Sequence, residues 1–327
     1  MKMQIEIYNM TVLNDKLNIS LEAVCDSFSS LLWDIEYYKC GAFEVYIAAS
    51  PRNIEIFQTG RIVGRDDDKE HFGLIESVEL ETDAEDGDYL IIKGRFLMCL
   101  LERRIIYPTL NFTSQTSYGA IVQKAVESNA LTSGNRLIPG LKLGEIQGAC
   151  WSQTTKLQVS YENLMEWVYT ICEKIGGTAN IRLSKIADEQ YEMIFELLQG
   201  TDRSILQKIN PHIIFSDRYN NLLSFTYFTD TSVKRNFAYV LGKGESEQRK
   251  RTTCFTNSEP ALLDRYEVYV DAKDISDEEQ IANETKPISE IEYEELLKEK
   301  GKQNLVPTKT KSESQIAVQS TQFQYGV

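Results

Sequence analysis

Histidine is almost absent: the chain of 327 residues has two, His71 and His212. Neither has a second histidine or a cysteine at ligand spacing, which argues against a zinc site. The six cysteines, Cys25, Cys40, Cys99, Cys150, Cys172 and Cys254, are scattered singly, with no C-x-x-C pair. Isolated thiols of this kind, two of them (Cys99 and Cys172) inside apolar runs, predict mostly buried, unpaired side chains in a reducing compartment. No apolar run approaches the ~20 residues needed to span a bilayer. Residues 1–13 lack the apolar core and cleavage site of a signal peptide, so a soluble protein made in a cytoplasm is expected. Phosphate-cradling glycine motifs are missing too. Gly242 and Gly244 give only G-x-G, which reads as a turn. There is no G-x-S-x-G elbow. Positive charge is short, with 35 Lys and Arg against 49 Asp and Glu, a net −14. That balance repels phosphate backbones and disfavours generic nucleic-acid binding, while leaving one local basic face open.

What is present is core-forming. Hydrophobic residues make up 42% of the chain, and its length suits two or three domains. Through the first hundred residues the pattern is β. In 42–49, Phe43, Val45 and Ile47 alternate with Glu44 and Tyr46. The runs 71–80 and 88–94 are joined by an Asp-Gly turn that signals a hairpin. Its acids do not make a calcium loop: counted from Asp83, the sixth residue is Asp88 rather than glycine and the twelfth is Gly94 rather than glutamate. Residues 64–70, rich in aspartate, read as a second solvated turn.

The segment 94–108 holds Phe96, Leu97, Leu100, Leu101 and Ile105 at helical spacing and ends at Pro108. This predicts a short amphipathic helix after the strands. Adjacent Arg103 and Arg104 on such a helix would point about 100° apart, which favours scaffold over a two-arginine substrate clamp. Helices are predicted at 117–130 and at 161–175, the latter capped by Ser160 and stopped by Gly176 and Gly177. Its stripe includes Leu164, Val168 and Ile171, with Trp167 at the edge. Residues 178–183 and 190–198 read as a strand pair, so the middle is a small α/β unit. Strands return at 212–216, 221–230, 236–245 and 265–274. Residues 276–284 and 289–301 read as charged helices, with capping boxes Ser276/Glu279 and Ser289/Glu292. Carboxylate pairs such as Asp34/Glu36 and Asp271/Asp274 are expected by chance among so many acids, and nothing argues positively for an enzyme. An antiparallel β protein with seventeen tyrosines could also offer aromatic platforms to a cell-surface sugar.

The ordered set of segments resembles a family of siphophage and prophage tail-hub proteins. These are often called Gp37-like and are related to the N-terminal part of tail-associated Tal proteins and to contractile-tail baseplate hubs. The resemblance lies in Trp33, Tyr38, Gly41 and Phe43; in Gly94, Arg95, Leu100, Leu101, Arg103, Arg104 and Ile105; in Asn221, Leu222, Leu223, Tyr227 and Asp230; in Gly242 and Gly244; and in Arg265, Glu267, Val270, Asp271 and Asp274. It covers nearly the whole chain. It implies an α+β, mainly antiparallel β fold in which two tube-type β-barrel domains, about 1–108 and 211–327, flank an α/β domain, 109–210, with a helical insertion about 275–303. It implies a structural protein of the virion tail tip; the absence of ligand clusters in the sequence separately predicts no cofactor and no metal. The expected assembly is a trimeric ring continuing the tail tube, with distal tail, tube, and tip or fibre proteins as partners and neither membrane nor specific nucleic acid. Trp33, Gly41, Phe43, Gly94, Arg95, Arg103, Arg104, Asn221, Tyr227, Arg265 and Asp271 are then scaffold or interface positions. The alternative within a tail is a carbohydrate-binding module.

Overall fold

The computed structural model describes residues 3–13, 16–83, 87–132, 134–187, 190–219, 227–281, 284–306 and 311–314. The chain divides into two compact units. One comprises Met1–Pro108, Thr116–Thr154 and Tyr161–Gly200, and the other Thr109–Gln115, Thr155–Ser160 and Thr201–Val327. The fold is α+β and mainly antiparallel, and among the described residues no sheet closes into a barrel.

The first unit is built on a seven-stranded antiparallel sheet. Its strands are β1 (Ile5–Leu13), β2 (Lys16–Cys25), β3 (Ser30–Asp34), β4 (Ala42–Ala48), β5 (Ile62–Arg65), β6 (Asp68–Asp83) and β7 (Gly87–Phe96), in the order β2-β1-β5-β6-β7-β4-β3. The expected alternation holds in β4: Phe43, Val45 and Ile47 are buried with Ile5, Ile7, Val63, Ile75 and Ile92 in one apolar cluster. β6 and β7 pair antiparallel as expected of a hairpin, with Asp83 opposite Gly87. Phe43 pairs with Gly94 across the sheet. A Cβ on Gly94 would lie 2.7 Å from the Phe43 ring and 1.9 Å from the Leu74 carbonyl oxygen, and one on Gly73 would lie 2.3 Å from the same ring. The phenyl ring therefore rests on two strands whose side chains are missing, a fit that any larger residue destroys.

The helix expected over 94–108 shrinks to one turn, Cys99–Glu102. Phe96 stays extended because it closes the β6–β7 ladder opposite Gly73. Beyond the turn, residues 104–106 are drawn out straight by 161–164: Leu164 N–H donates to Arg104 O (2.9 Å), Ile106 N–H to Glu162 O (2.9 Å) and Tyr161 N–H to Ile106 O (2.8 Å). Strand-like pairing outcompetes the local helical period. The helix Leu164–Ile175 is present, with Leu164, Trp167, Val168 and Ile171 buried. Its cap is Asn163, not Ser160. The Asn163 Oδ1 accepts from the N–H groups of Met165 (3.1 Å) and Glu166 (3.3 Å), and Gly176 ends the helix in the left-handed region at φ 76°. Tyr161 lies before the helix, exposed, at φ 58°. The helix Tyr118–Val126 and the antiparallel pair Thr178–Ala187/Gln190–Leu198 follow the sequence reading, and Leu141–Ile146 adds a parallel strand to that pair.

In the second unit, Phe237–Leu241 pairs antiparallel with Arg251–Phe255 and parallel with Glu267–Asp271. The helix Glu290–Gln303 covers this sheet, burying Tyr293, Leu296 and Leu297 against Val240, Cys254 and Val270. Ser289 caps it as expected, accepting from the Glu292 N–H at 3.2 Å. The helix expected at 276–284 is instead a hairpin of Glu278–Ile281 with Glu284–Pro287. The Ser276 hydroxyl accepts from the Glu278 N–H (3.1 Å), a serine turn that shares its sequence signature with a helix start. Residues 212–216, expected as a strand, are irregular; Ile213 N–H donates to Arg203 O instead of to a ladder. Tyr227–Asp230 pairs with Lys311–Ser314. Two earlier stretches contribute here: the Gln158 Oε1 accepts from Ser276 N–H (2.8 Å), and Lys156 Nζ lies 3.3 Å from a Glu292 oxygen.

Candidate functional site

Five of the motif residues, Trp33, Gly41, Phe43, Gly94 and Arg95, gather at one end of the seven-stranded sheet. The Trp33 ring packs on Phe43 (5.7 Å between centroids) and Phe96 (4.9 Å). Gly41 leaves room for Phe96; a Cβ there would come 2.7 Å from that ring. Arg95 donates twice to Glu76 (2.8 Å each) and once to Glu102 (2.6 Å), tying β7 to β6 and to the helical turn that follows. Those two carboxylates raise the Arg95 pKa, and Arg95 in turn holds Glu102 below the usual carboxylate range. These contacts hold the strands and the turn together.

Beside them is a polar group whose extent the sequence reading missed. The acidic turn expected to be solvated carries Asp68, which is fully buried. Asp68 accepts from the Trp33 Nε1–H (3.0 Å), the backbone N–H groups of Glu70 (3.0 Å) and His71 (3.1 Å), and the His71 Nδ1 (2.9 Å). An ionised carboxylate only accepts, so Nδ1 carries the proton. Burial pushes the Asp68 carboxyl up, but His71, the Glu70 amide and the Trp33 indole together outweigh it and hold it below the usual range. Arg65 stands 5.6 Å over the Trp33 ring and donates to both oxygens of Asp67 (2.8 and 2.7 Å). The spacing Asp68-x-x-His71 was visible in the sequence; the burial that gives it meaning was not.

Arg103 and Arg104 separate. Arg104 turns inward and donates to the carbonyls of Arg136 (2.7 Å), Arg103 (3.0 Å) and Leu137 (3.4 Å). Arg136 answers by donating to the carbonyls of Tyr107 (2.6 Å) and Ile105. Arg103 is exposed and makes no side-chain hydrogen bond or ion pair among the described residues, its charge helping to lower the pKa of neighbouring Glu102. Together with Tyr107 and Tyr161 these arginines line an open pocket of about 440 Å³. Burial and the neighbouring Arg136 and Arg103 guanidiniums hold Arg104 below the usual arginine range.

The remaining motif residues lie in the second unit. Arg265 sits 3.5 Å over the Phe237 ring and donates to Glu267 (2.6 Å), Glu259 (3.2 Å) and the Tyr239 hydroxyl (3.2 Å). Asp271 accepts from Arg249 (2.6 Å), which holds its pKa down. Tyr227 lies on the strand Tyr227–Asp230, and Asn221 lies outside the described residues. Five of the six cysteines are buried and Cys40 is half-buried. Burial pushes Cys40 up to about 11 and Cys99 up to about 12, so neither is a thiolate at neutral pH. Among the described residues no three His, Cys, Asp or Glu side chains converge as metal ligands, and no helix is long and apolar enough to cross a membrane.

Residues 5–327 match the family described as Siphovirus ReqiPepy6 Gp37-like protein. The chain belongs to that family. As a member of this siphovirus tail-protein family it is a structural component of a phage or prophage tail. No curated protein sequence matches the chain. Similar solved structures include a tail protein from Neisseria meningitidis MC58 (11% identity, 84% of this chain and 72% of that one, TM-score 0.45). The prophage tail protein gp18 from Listeria monocytogenes EGD-e (11%, 83% and 72%, TM-score 0.44) and a 43 kDa tail protein of prophage MuSo2 from Shewanella oneidensis (11%, 84% and 74%, TM-score 0.45) are further examples. Family membership, not these distant likenesses, carries the functional reading.

Proposed function

We propose that this Gp37-like protein is a hub subunit at the tail tip: three copies close a ring that continues the tail tube. The family match across residues 5–327 carries this reading. In it the chain works by holding shape. Two tube-type barrel domains, about 1–108 and 211–327, flank an α/β domain at 109–210. The seven-stranded sheet supplies the first barrel and the strands from 227 onward the second, each completed across the ring by neighbouring copies. Open strand edges such as β2 and β3 favour this, because unpaired backbone groups at an edge seek a partner. A three-copy ring uses a head-to-tail contact that closes on itself. The distal tail protein, the tube and the tip or fibre proteins are the neighbours, and the role requires no catalysis. The chain is made in the bacterial cytoplasm and ends in the virion. Light scattering with imaging of the particles tests the ring. Three-fold particles are expected; a two-fold dimer with a large apolar interface, and no three-fold species even alongside tail-tube neighbours, overturns it.

A further inference from the structure

The pocket around Arg103 is an exception in an acidic protein. Three guanidiniums meet there, in a chain of net charge −14. Exposed apolar groups flank them: Ile105, Tyr107 and Tyr161 all stand more than half in solvent, with the two tyrosine rings 6.1 Å apart. Tyr161 is also held at φ 58°, a left-handed backbone costly for a residue with a Cβ. Arginine with tyrosine, and no lysine, is the composition of the energetic centre of a protein interface.

The donors say what enters. Arg104 and Arg136 point their Nε or Nη groups at backbone carbonyls, so they supply field more than bonds. Arg103 keeps its fork open. A phosphate, with oxygens on every side, wants several converging donors and does not find them. A single carboxylate held beside apolar groups fits one open fork, two aromatic faces and a positive field.

The second unit presents that chemistry. On the helix Glu290–Gln303, Tyr293, Leu296 and Leu297 face inward, so Ile291 and Glu295, one turn apart, face out together. Ile291 is 75% exposed. Glu295 is exposed and unpaired among the described residues, whereas nearby Glu294 is tied to Lys298 (2.7 Å) and Glu290 to Lys250 (2.5 Å). An unpaired carboxylate beside an exposed apolar side chain matches an unpaired guanidinium beside exposed aromatic ones.

We infer that the Arg103 pocket receives the Ile291/Glu295 face of a second copy's helix, with Glu295 on the Arg103 fork and Ile291 between Tyr107 and Tyr161. This rests on the ring reading, and it names one of that ring's head-to-tail contacts. The test is self-association of the full chain by sedimentation. Arg103→Glu and Glu295→Arg should each weaken it by roughly tenfold or more, and the double swap should restore it to within about threefold of wild type. Both side chains are exposed, so unchanged melting temperatures separate lost contact from lost fold. A ring that forms and ignores both single variants overturns the contact and leaves the ring standing. A wild-type chain that stays monomeric at all concentrations and alongside its tail neighbours overturns both. Binding of inorganic phosphate that Arg103→Ala abolishes while self-association persists overturns the contact in favour of an anion site. Loss of a different tail protein, with self-association intact, overturns it in favour of that partner.

Discussion

Phe43 and Phe237 are both buried rings on sheet strands, and their neighbours differ. Phe43 lies on the bare backbones of Gly73 and Gly94 within an apolar cluster. Phe237 lies under the Arg265 guanidinium, which is itself held by Glu259 and Glu267. Around Phe43 the first unit is packed by shape; around Phe237 the second is held by charge. The second also leaves large apolar side chains in solvent: Leu262 and Leu263 are 93% and 96% exposed, and Ile205, Leu206 and Ile209 nearly as bare. Shape complementarity is insensitive to salt and pH, whereas ion pairs near the surface are screened. Bare apolar side chains thus stand in solvent in both units, Leu32, Tyr107 and Tyr161 in the first and those five in the second, where they are barest.

The contrast is sharpest at Phe43. Phe43→Ala empties the space over two glycines and should cost about 3–5 kcal/mol in denaturant melts; a loss near zero would mean that the sheet closes over the gap and that shape is not what organises it. Acid is the next probe. The depressed Asp68 pKa means that its share of stability is complete above the ordinary aspartate value near 4 and is lost as pH falls through its lower folded value. Asp68→Asn should flatten that acid limb, measured by melting temperature against pH, with no gain or loss of the limb if Asp68 is irrelevant. Arg265→Ala should cost clearly less than the Phe43 change, and the cost should shrink in high salt; a salt-independent loss would move Phe237 into the same class as Phe43. Smallest of all, Leu263→Ser should change stability by less than ~0.5 kcal/mol, as for an unpacked surface site. A larger loss would show that Leu263 is packed within its own chain.

Local regularities were legible. The alternation of β4, the buried face of Leu164–Ile175 and the Ser289 cap each depend on residues a few positions apart, and each is found. The misreadings share one cause, that partners far along the chain decided the outcome. Phe96 has helical neighbours but is held straight by Gly73. Ser276 has the residues of a helix cap but closes a hairpin turn. Asp68 belongs to a polar run yet is buried because Trp33 lies 35 residues away and reaches it. The pocket was half visible: Arg103 and Arg104 stood out as a pair, but Arg136 joins them across a separation of 32 residues, for which spacing gives no signal.

The stretches Thr109–Gln115 and Thr155–Ser160 leave the ribosome long before the unit that uses them. Gln158 must wait for Ser276, 118 residues later, which at about 5–20 residues per second is a delay of roughly 6–24 seconds. During that interval the stretches that flank them can already close the first unit. Synthesis of this protein thus passes through a stage in which one unit is nearly complete and two strands meant for the other have only each other as partners. An isolated two-stranded ribbon is marginal in water, so this pair gains its full stability only when the chain beyond residue 276 arrives to cover it.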